Sequence, residues 1–375
     1  MRYARVVFMV IAACFGITLV NYASSPYKEN RVSLPNVARS QTKEMKPMTV
    51  VQTVTQPKMN NPPTAKRTSE GHNRPLFILL MSSSGRTGST LMAKLLRTHG
   101  GSVVFFEPLF RTITMLNDPC HLNGTCVAQF LKDVALCKYT KDFEEWFKKW
   151  TVFFEVFHPE VSYCMQYTDD LEKCKKIDVR GRCLNSRVRI IKVIRSRMAW
   201  VEDLLKDDTL NMKLIYLTRD PRATLSSYNQ LGWGNSAPTQ CGDMKKDLDT
   251  YDRFERLYPK KVFRTQIETL SVDPYGTIRN LFGFLFGTPV VEDETVEFVN
   301  KHMRAKSTVY GGLKIEANST EEYQSWRWEI TQEILNASES NAVCQVILKR
   351  LGHVVFGSLK RARDRNVKLL DYEKN

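Results

Sequence analysis

The sequence predicts an α/β protein with a central parallel sheet flanked by helices, and three observations lead there. An apolar run over residues 76–81 passes through Ser82 Ser83 Ser84 Gly85 Arg86 Thr87 Gly88 Ser89 Thr90 into apolar positions at Leu91, Met92, Leu95 and Leu96. That reads as buried strand, tight loop and amphipathic helix. A second run, Lys213 Leu214 Ile215 Tyr216 Leu217, ends in Thr218 Arg219 Asp220 Pro221, where Asp220 suits an N-cap and Pro221 the first helical position. Around them strand and helix patterns alternate, as in parallel strands joined by helical crossovers.

Arg2 and Arg5 precede an uncharged run, residues 6–23, that is long enough to span a thin bilayer. The basic flank predicts a cytosolic tail at residues 1–5 and a transmembrane signal anchor behind it. A cleaved signal peptide is the alternative, although Asn21 at the minus-three position fits a cleavage site after Ala23 poorly. Either way the rest is expected in a secretory lumen. Residues 24–74 are polar and proline-rich, with Tyr27 the only aromatic. They cannot bury enough apolar surface to offset ordering, which predicts a flexible stem.

Residues 75–356 are expected to form a single lumenal domain. Its first helix should end near His99, before Gly100 Gly101, with His99 serving as stop chemistry rather than as a catalyst. Val103 Val104 Phe105 Phe106 reads as a short buried strand closed by Glu107 Pro108. A carboxylate there is well placed for chemistry, because ligands of open α/β sheets sit beyond the strand C-termini. Residues 117–187 are irregular and hold six of the eight cysteines outside the anchor: Cys120, Cys126, Cys137, Cys164, Cys174 and Cys183, with Cys241 and Cys344 beyond. An even set suits an oxidising compartment and predicts a disulfide-stapled insertion whose pairing is open. A zinc reading of Cys120 and His121 with Cys126 and Cys137 lacks paired close spacings. Phe143, Trp146, Phe147, Trp150, Phe153 and Phe154 have helical spacing, which favours a packed helix face over a sugar platform.

Further strands are predicted at residues 189–194, 213–217 and 261–267, with helices at 200–205 and 251–258. Asp273 Pro274 opens another helix through Ile278, Leu281, Phe282 and Leu285, and a helical pattern runs from Ile330 and Ile334 past Cys344 to Leu351. Residues 357–375 form a charged tail that should fray. Sequons at Asn123, Asn318 and Asn336 agree with glycosylation.

The loop at residues 82–90 has the chemistry of a phosphate cradle: glycines for close approach, free helix amides, hydroxyl donors, and fixed charge on Arg86. No lysine follows Gly88, which excludes a nucleotide triphosphatase loop and weakens a third reading, a lumenal nucleotide kinase. Arg219 and Arg222 flank the start of the second helix, a second anion site of similar design. Each has a plain alternative, an ordinary strand-to-helix turn and a capped helix with solvent arginines. The formal net charge of +15 suits a polyanionic partner without naming it.

The two elements in this order resemble the phosphosulfate-binding elements of Golgi carbohydrate sulfotransferases, in the group that sulfates the 6-hydroxyl of galactose, N-acetylglucosamine or N-acetylgalactosamine. The family's Arg-Ser-Gly-Ser-Ser is matched by Arg86 Thr87 Gly88 Ser89 Thr90, and its Tyr-Glu-Pro by Phe106 Glu107 Pro108. Its Arg-Asp-Pro-Arg-Ala with a later serine is matched by Arg219, Asp220, Pro221, Arg222, Ala223 and Ser227. Glu268, Leu270, Asp273 and Pro274 resemble a later Glu-x-Leu and Asp-Pro pair, and Trp326 Arg327 a Trp-Arg near the family's C-terminus. Gly85 stands where the family often has tryptophan, Tyr228 where it often has arginine, and Gln266 Ile267 replaces an Arg-Tyr pair. These departures bear on the acceptor more than on the reaction.

The resemblance implies a P-loop-like sulfotransferase fold and sulfuryl transfer from 3'-phosphoadenosine 5'-phosphosulfate to a sugar hydroxyl of a glycan or proteoglycan. No metal and no nucleic-acid partner are expected. Gly85, Arg86, Thr87, Gly88, Ser89 and Thr90 would hold the 5'-phosphosulfate, with Arg86 neutralising the leaving group. Arg219 and Ser227 would hold the 3'-phosphate, and Trp326 and Arg327 would join the donor site. Glu107 is the candidate general base, and a structural Glu107 paired with a nearby arginine is the alternative. A heparan or tyrosyl acceptor, or a non-catalytic membrane-tethered binder of sulfated glycans, are the competing functions.

Overall fold

The chain enters the sheet at β1 (Leu76–Met81), buried along its whole length, and leaves it through the glycine-containing loop into α1 (Ser89–Arg97). The computed structural model describes residues 74–110, 123–151, 164, 174, 176–194, 196–310 and 313–371. β2 (Ser102–Phe106) follows, then α2 (Gly124–Ala135), α3 (Lys141–Thr151) and α4 (Val179–Asn185). β3 (Val188–Val193) leads through a 3-10 turn and α5 (Glu202–Lys206) to β4 (Met212–Thr218). Next come α6 (Pro221–Gln230), α7 (Ala237–Leu257), β5 (Val262–Gln266), α8 (Ile267–Val272), α9 (Pro274–Phe286) and α10 (Asp293–Met303). β6 (Arg304–Tyr310) and β7 (Leu313–Asn318) make a separate antiparallel pair. α11 (Ser319–Glu322), α12 (Trp326–Glu329), α13 (Gln332–Glu339), α14 (Ala342–Arg350) and α15 (Leu359–Ala362) complete the chain.

The main sheet is parallel throughout, in the order β2-β3-β1-β4-β5. Phe77, Leu79, Met81, Phe105, Ile191, Leu214 and Tyr216 share one core with residues of α2, α3, α7 and α14. The alternate residues Ile78, Leu80, Val104 and Phe106 are equally buried, as required of strands covered on both faces. Because all five strands run the same way, the loops after them gather along one edge. That edge holds residues 82–88, Glu107, Arg197, Arg219 and Glu268.

The five predicted strands are present within a residue or two of their expected bounds. Among the described residues, the insertion predicted as irregular carries helices α2, α3 and α4. Its staples are Cys137–Cys183 and Cys164–Cys174, and Cys126 is disulfide-bonded as well. Arg189 ties the insertion to the sheet, donating to Ala135 O at 2.7 Å and Cys183 O at 3.0 Å, carbonyls at the ends of α2 and α4. α7 extends well before the helix expected at 251–258, because its buried stripe of Gln240, Cys241, Met244, Asp247, Leu248 and Tyr251 contains polar residues that mask the apolar period. Their partners explain them: Gln240 donates to Pro221 O at 3.1 Å, and Asp247 accepts from Met198 N at 2.9 Å. The continuous pattern after Ile330 is two helices, because Asn341 caps α14 through the amides of Val343 and Cys344.

Cys241–Cys344 joins α7 to α14 across 103 residues. Closing a loop of that length is worth about 2–5 kcal/mol through the unfolded chain. Replacing both cysteines with serine is expected to lower the urea midpoint accordingly; an unchanged midpoint would show that the bridge adds nothing to the helix packing.

Residues 357–371 do not fray. Leu359, Ala362, Val367, Leu369 and Leu370 pack into a cluster with Trp326 and Phe356, and Leu370 bridges to His353. The predicted anchor at 6–23, nearly all of the stem, and Cys14, Cys120, His121, Phe153 and Phe154 lie outside the described residues. Among the described residues no helix is long and apolar enough to cross a membrane.

Candidate active site

The loop after β1 is shaped from inside. Thr87 is fully buried and donates to Ser82 Oγ at 3.0 Å, while Ser83 shares a 2.6 Å hydrogen bond with the Tyr216 hydroxyl. Thr87 therefore braces the loop with its hydroxyl rather than offering it to a ligand. Gly88 is the N-cap of α1 at φ 81, and a Cβ there would lie 2.6 Å from Ile267 Cδ1. Only glycine fits that position. The Gly85 amide is also committed, donating to the Tyr228 hydroxyl at 3.1 Å.

Arg86 sits at φ 62, in the left-handed region. Its Nε donates to Ser227 Oγ at 2.9 Å, and its carbonyl accepts from Arg219 Nη1 at 2.7 Å. The two elements recognised separately in the sequence thus meet in one place. Burial and the neighbouring Arg219 both lower the Arg86 pKa, and burial lowers that of Arg219. Neither guanidinium makes an ion pair with a carboxylate among the described residues. Arg219 Nε and Ser84 Oγ are buried with no hydrogen-bond partner there. Two adjacent cations at the positive ends of α1 and α6, with donors left over, form a site for an anion.

Arg222 does not belong to this site. It is fully buried, bonds Asp220 through Nη2 at 2.7 Å, pairs with Glu339, and donates to Val354 O at 2.9 Å. The expectation of an anion-binding or solvent arginine there is corrected: Arg222 anchors α6 to α13 and the segment after α14. Asp220 caps α6 through the Arg222 amide at 2.8 Å. Burial opposes its ionisation, but Arg222 and His353 outweigh burial and hold its carboxyl down at about 2. Glu268, beneath Arg219, accepts from the Asp220 amide at 2.9 Å, and burial raises its pKa.

Trp326 and Arg327 lie in the adjoining cluster, and both are buried. Arg327 donates to Ala362 O at 2.6 Å, Asp364 O at 2.7 Å and Gln324 Oε1 at 3.0 Å. Its hydrogen bonds organise the C-terminal segment.

Glu107 follows β2 at φ 48 and is buried. Its amide donates to Lys192 O at 2.9 Å, and its carboxylate pairs with Lys192 Nζ. Among the described residues Lys192 is a partner of this carboxylate. Lys192 is opposite Leu80 and Phe106 in the sheet register and lies over the Phe106 ring at 3.9 Å. The sequence pattern places it inside the strand at residues 189–194. The available signal was a lysine inside an apolar strand, which is seldom buried without a carboxylate beside it.

An open parallel α/β sheet carries two cationic strand-to-helix turns and a buried carboxylate on one edge, an arrangement suited to an anionic ligand at the strand ends. The sequence is similar to carbohydrate sulfotransferase 1 of Homo sapiens, 25% identical over 231 residues that cover 54% of each chain. It is also similar to carbohydrate sulfotransferase 3 of Rattus norvegicus, 22% identical over 352 residues, 78% of this chain and 71% of the relative. The chain spans about half the length of the carbohydrate sulfotransferase 1 relatives it matches, 54% in both the human and the Danio rerio proteins. Among solved structures, the sulfotransferase domain from the curacin biosynthetic pathway covers 76% of this chain and 100% of its own, with 17% identity and a TM-score of 0.39. No protein-family profile matches the chain.

Proposed function

We propose that the chain transfers a sulfuryl group from 3'-phosphoadenosine 5'-phosphosulfate to a hydroxyl of a carbohydrate, the 6-hydroxyl of galactose, N-acetylglucosamine or N-acetylgalactosamine being the reading its motifs favour. The observation that carries this is the joining of Arg86 and Arg219 at the starts of α1 and α6, with unpaired donors beside them. Arg86 and the first amides of α1, at Ser89 and Thr90, would hold the 5'-phosphosulfate; Arg219 and Ser227 would hold the 3'-phosphate. In the reaction the acceptor oxygen forms a bond to sulfur while the bond from sulfur to the bridging oxygen breaks. The electron pair stays on that oxygen, where Arg86 stabilises it, and the acceptor proton passes to Glu107. The similarity to carbohydrate sulfotransferases supports a sugar as acceptor.

The same reading places the enzyme in the Golgi lumen as a single-pass type II protein, supported by the apolar run at 6–23 and the cysteine set. Radiolabelled donor offered with chondroitin, keratan and heparan acceptors tests the reaction: label in a glycan supports it, and no label together with no donor uptake would argue for a non-catalytic glycan binder. Arg219→Ala should weaken binding of the desulfated nucleotide by about 10–100-fold, the loss of one charge-assisted contact. An unchanged calorimetric affinity would remove the 3'-phosphate role.

A further inference from the structure

The segment predicted to fray is a built surface. Its apolar residues Leu359, Ala362, Val367, Leu369 and Leu370 turn inward to the cluster around Trp326. Lys360, Arg361, Arg363, Arg365 and Lys368, which alternate with them, are exposed. Arg327 clamps this backbone through the Ala362 and Asp364 carbonyls at 2.6 and 2.7 Å, so the basic groups stand on a fixed turn. Beside them Trp328 remains 38% exposed, with Arg365 over its ring at 5.5 Å and Arg327 at 5.7 Å. Two carboxylates lie nearby, Asp364 accepting from Asn366 N at 2.9 Å and Glu329 from Gln230 Nε2 at 2.8 Å, and the basic groups outnumber them.

The Glu329–Gln230 contact places this face at the C-terminal end of α6, whose N-terminal end carries Arg219 and Asp220. Ten residues of helix span about 15 Å, a distance that a chain of a few sugars covers. An aromatic ring suits the apolar face of a sugar, and a row of fixed cations suits repeated sulfates or carboxylates.

We infer that this face is a docking surface for the anionic chain of the acceptor, a sulfated or uronic-acid-bearing polysaccharide. It rests on the proposed function in taking that chain to be the acceptor. The surface holds the chain away from the reacting hydroxyl and sets affinity rather than turnover.

The test compares the purified protein with the variant Lys360→Gln/Arg361→Gln/Arg365→Gln/Lys368→Gln and with a control of equal charge loss elsewhere, Arg256→Gln/Lys260→Gln/Arg279→Gln/Lys301→Gln. Chondroitin sulfate affinity is measured against salt by titration without donor, a readout independent of catalysis. The first variant should lose about tenfold or more in affinity and flatten the salt dependence, because fewer counterions are released; the control should lose much less. KM for the charged chain should rise in parallel, with kcat and the KM for donor unchanged. Equal losses in the two variants, or an unchanged affinity in the first, overturn the inference. So does a first variant that loses binding only to phosphatidylserine vesicles. Chain binding lost through this face with no transferase activity in the parent would sink the proposed reaction and leave the docking surface standing.

Discussion

Arg86→Ala is expected to cut turnover by about 10²–10³-fold, the loss seen when one preorganised donor to a developing charge is removed, and to leave stability unchanged or slightly higher. The second half of that expectation follows from the surroundings. Arg86 is held at φ 62 and shares a buried region with Arg219, so its charge is destabilised by burial and by its neighbour. What it gives the fold is a backbone carbonyl for Arg219 and a hydrogen bond to Ser227. Alanine keeps the first of these and removes the repulsion. Circular dichroism melting with a transfer assay checks both parts. Normal turnover would end the leaving-group role, and a large loss of stability would make Arg86 a structural residue.

The sequence was most informative where the chemistry is local. An N-cap, a proline in the first helical turn and a glycine at a helix start act within a few residues, and all three turned up where the motifs placed them: Asp220, Pro221 and Gly88. It was least informative where partners lie far along the chain. Arg222 finds Glu339 across 117 residues and so anchors α6 although its motif suggested anion binding, and Arg327 finds Asp364 O across 37, a contact no local motif reveals. The departures from the family pattern acquire a physical meaning only in three dimensions. Gly85 and Tyr228 touch, since a Cβ at 85 would stand 3.0 Å from the Tyr228 hydroxyl that accepts the Gly85 amide. Ile267 packs where any side chain at 88 would fall. Tyr228 also meets Trp233 edge to face at 5.5 Å, and Arg86 lies 5.9 Å from that indole. Gly85, Tyr228 and Trp233 thus form one wall beside Arg86, which contacts both Ser227 and Arg219.

Glu107→Gln joins the two questions, because the carboxylate is both the candidate base and half of a buried ion pair. Losing a general base costs about 10²–10⁴ in rate, and removing one partner of a buried pair costs about 3–5 kcal/mol in stability. Lys192 is only 2% exposed, so the single variant should melt lower as well as turn over slowly. Glu107→Gln/Lys192→Met separates the effects: with both charges gone, much of the lost stability should return. Donor affinity, measured calorimetrically, should be near that of the parent in the double variant, because Arg86, Arg219 and Ser227 are untouched. Turnover should remain low in both variants at temperatures where they are folded. Turnover within a few-fold of the parent in either folded variant would assign Glu107 to the architecture alone. The strained φ of 48 favours the functional outcome, since a residue kept in the left-handed region by both its amide and its carboxylate is being aimed at the strand ends, where the acceptor hydroxyl must arrive.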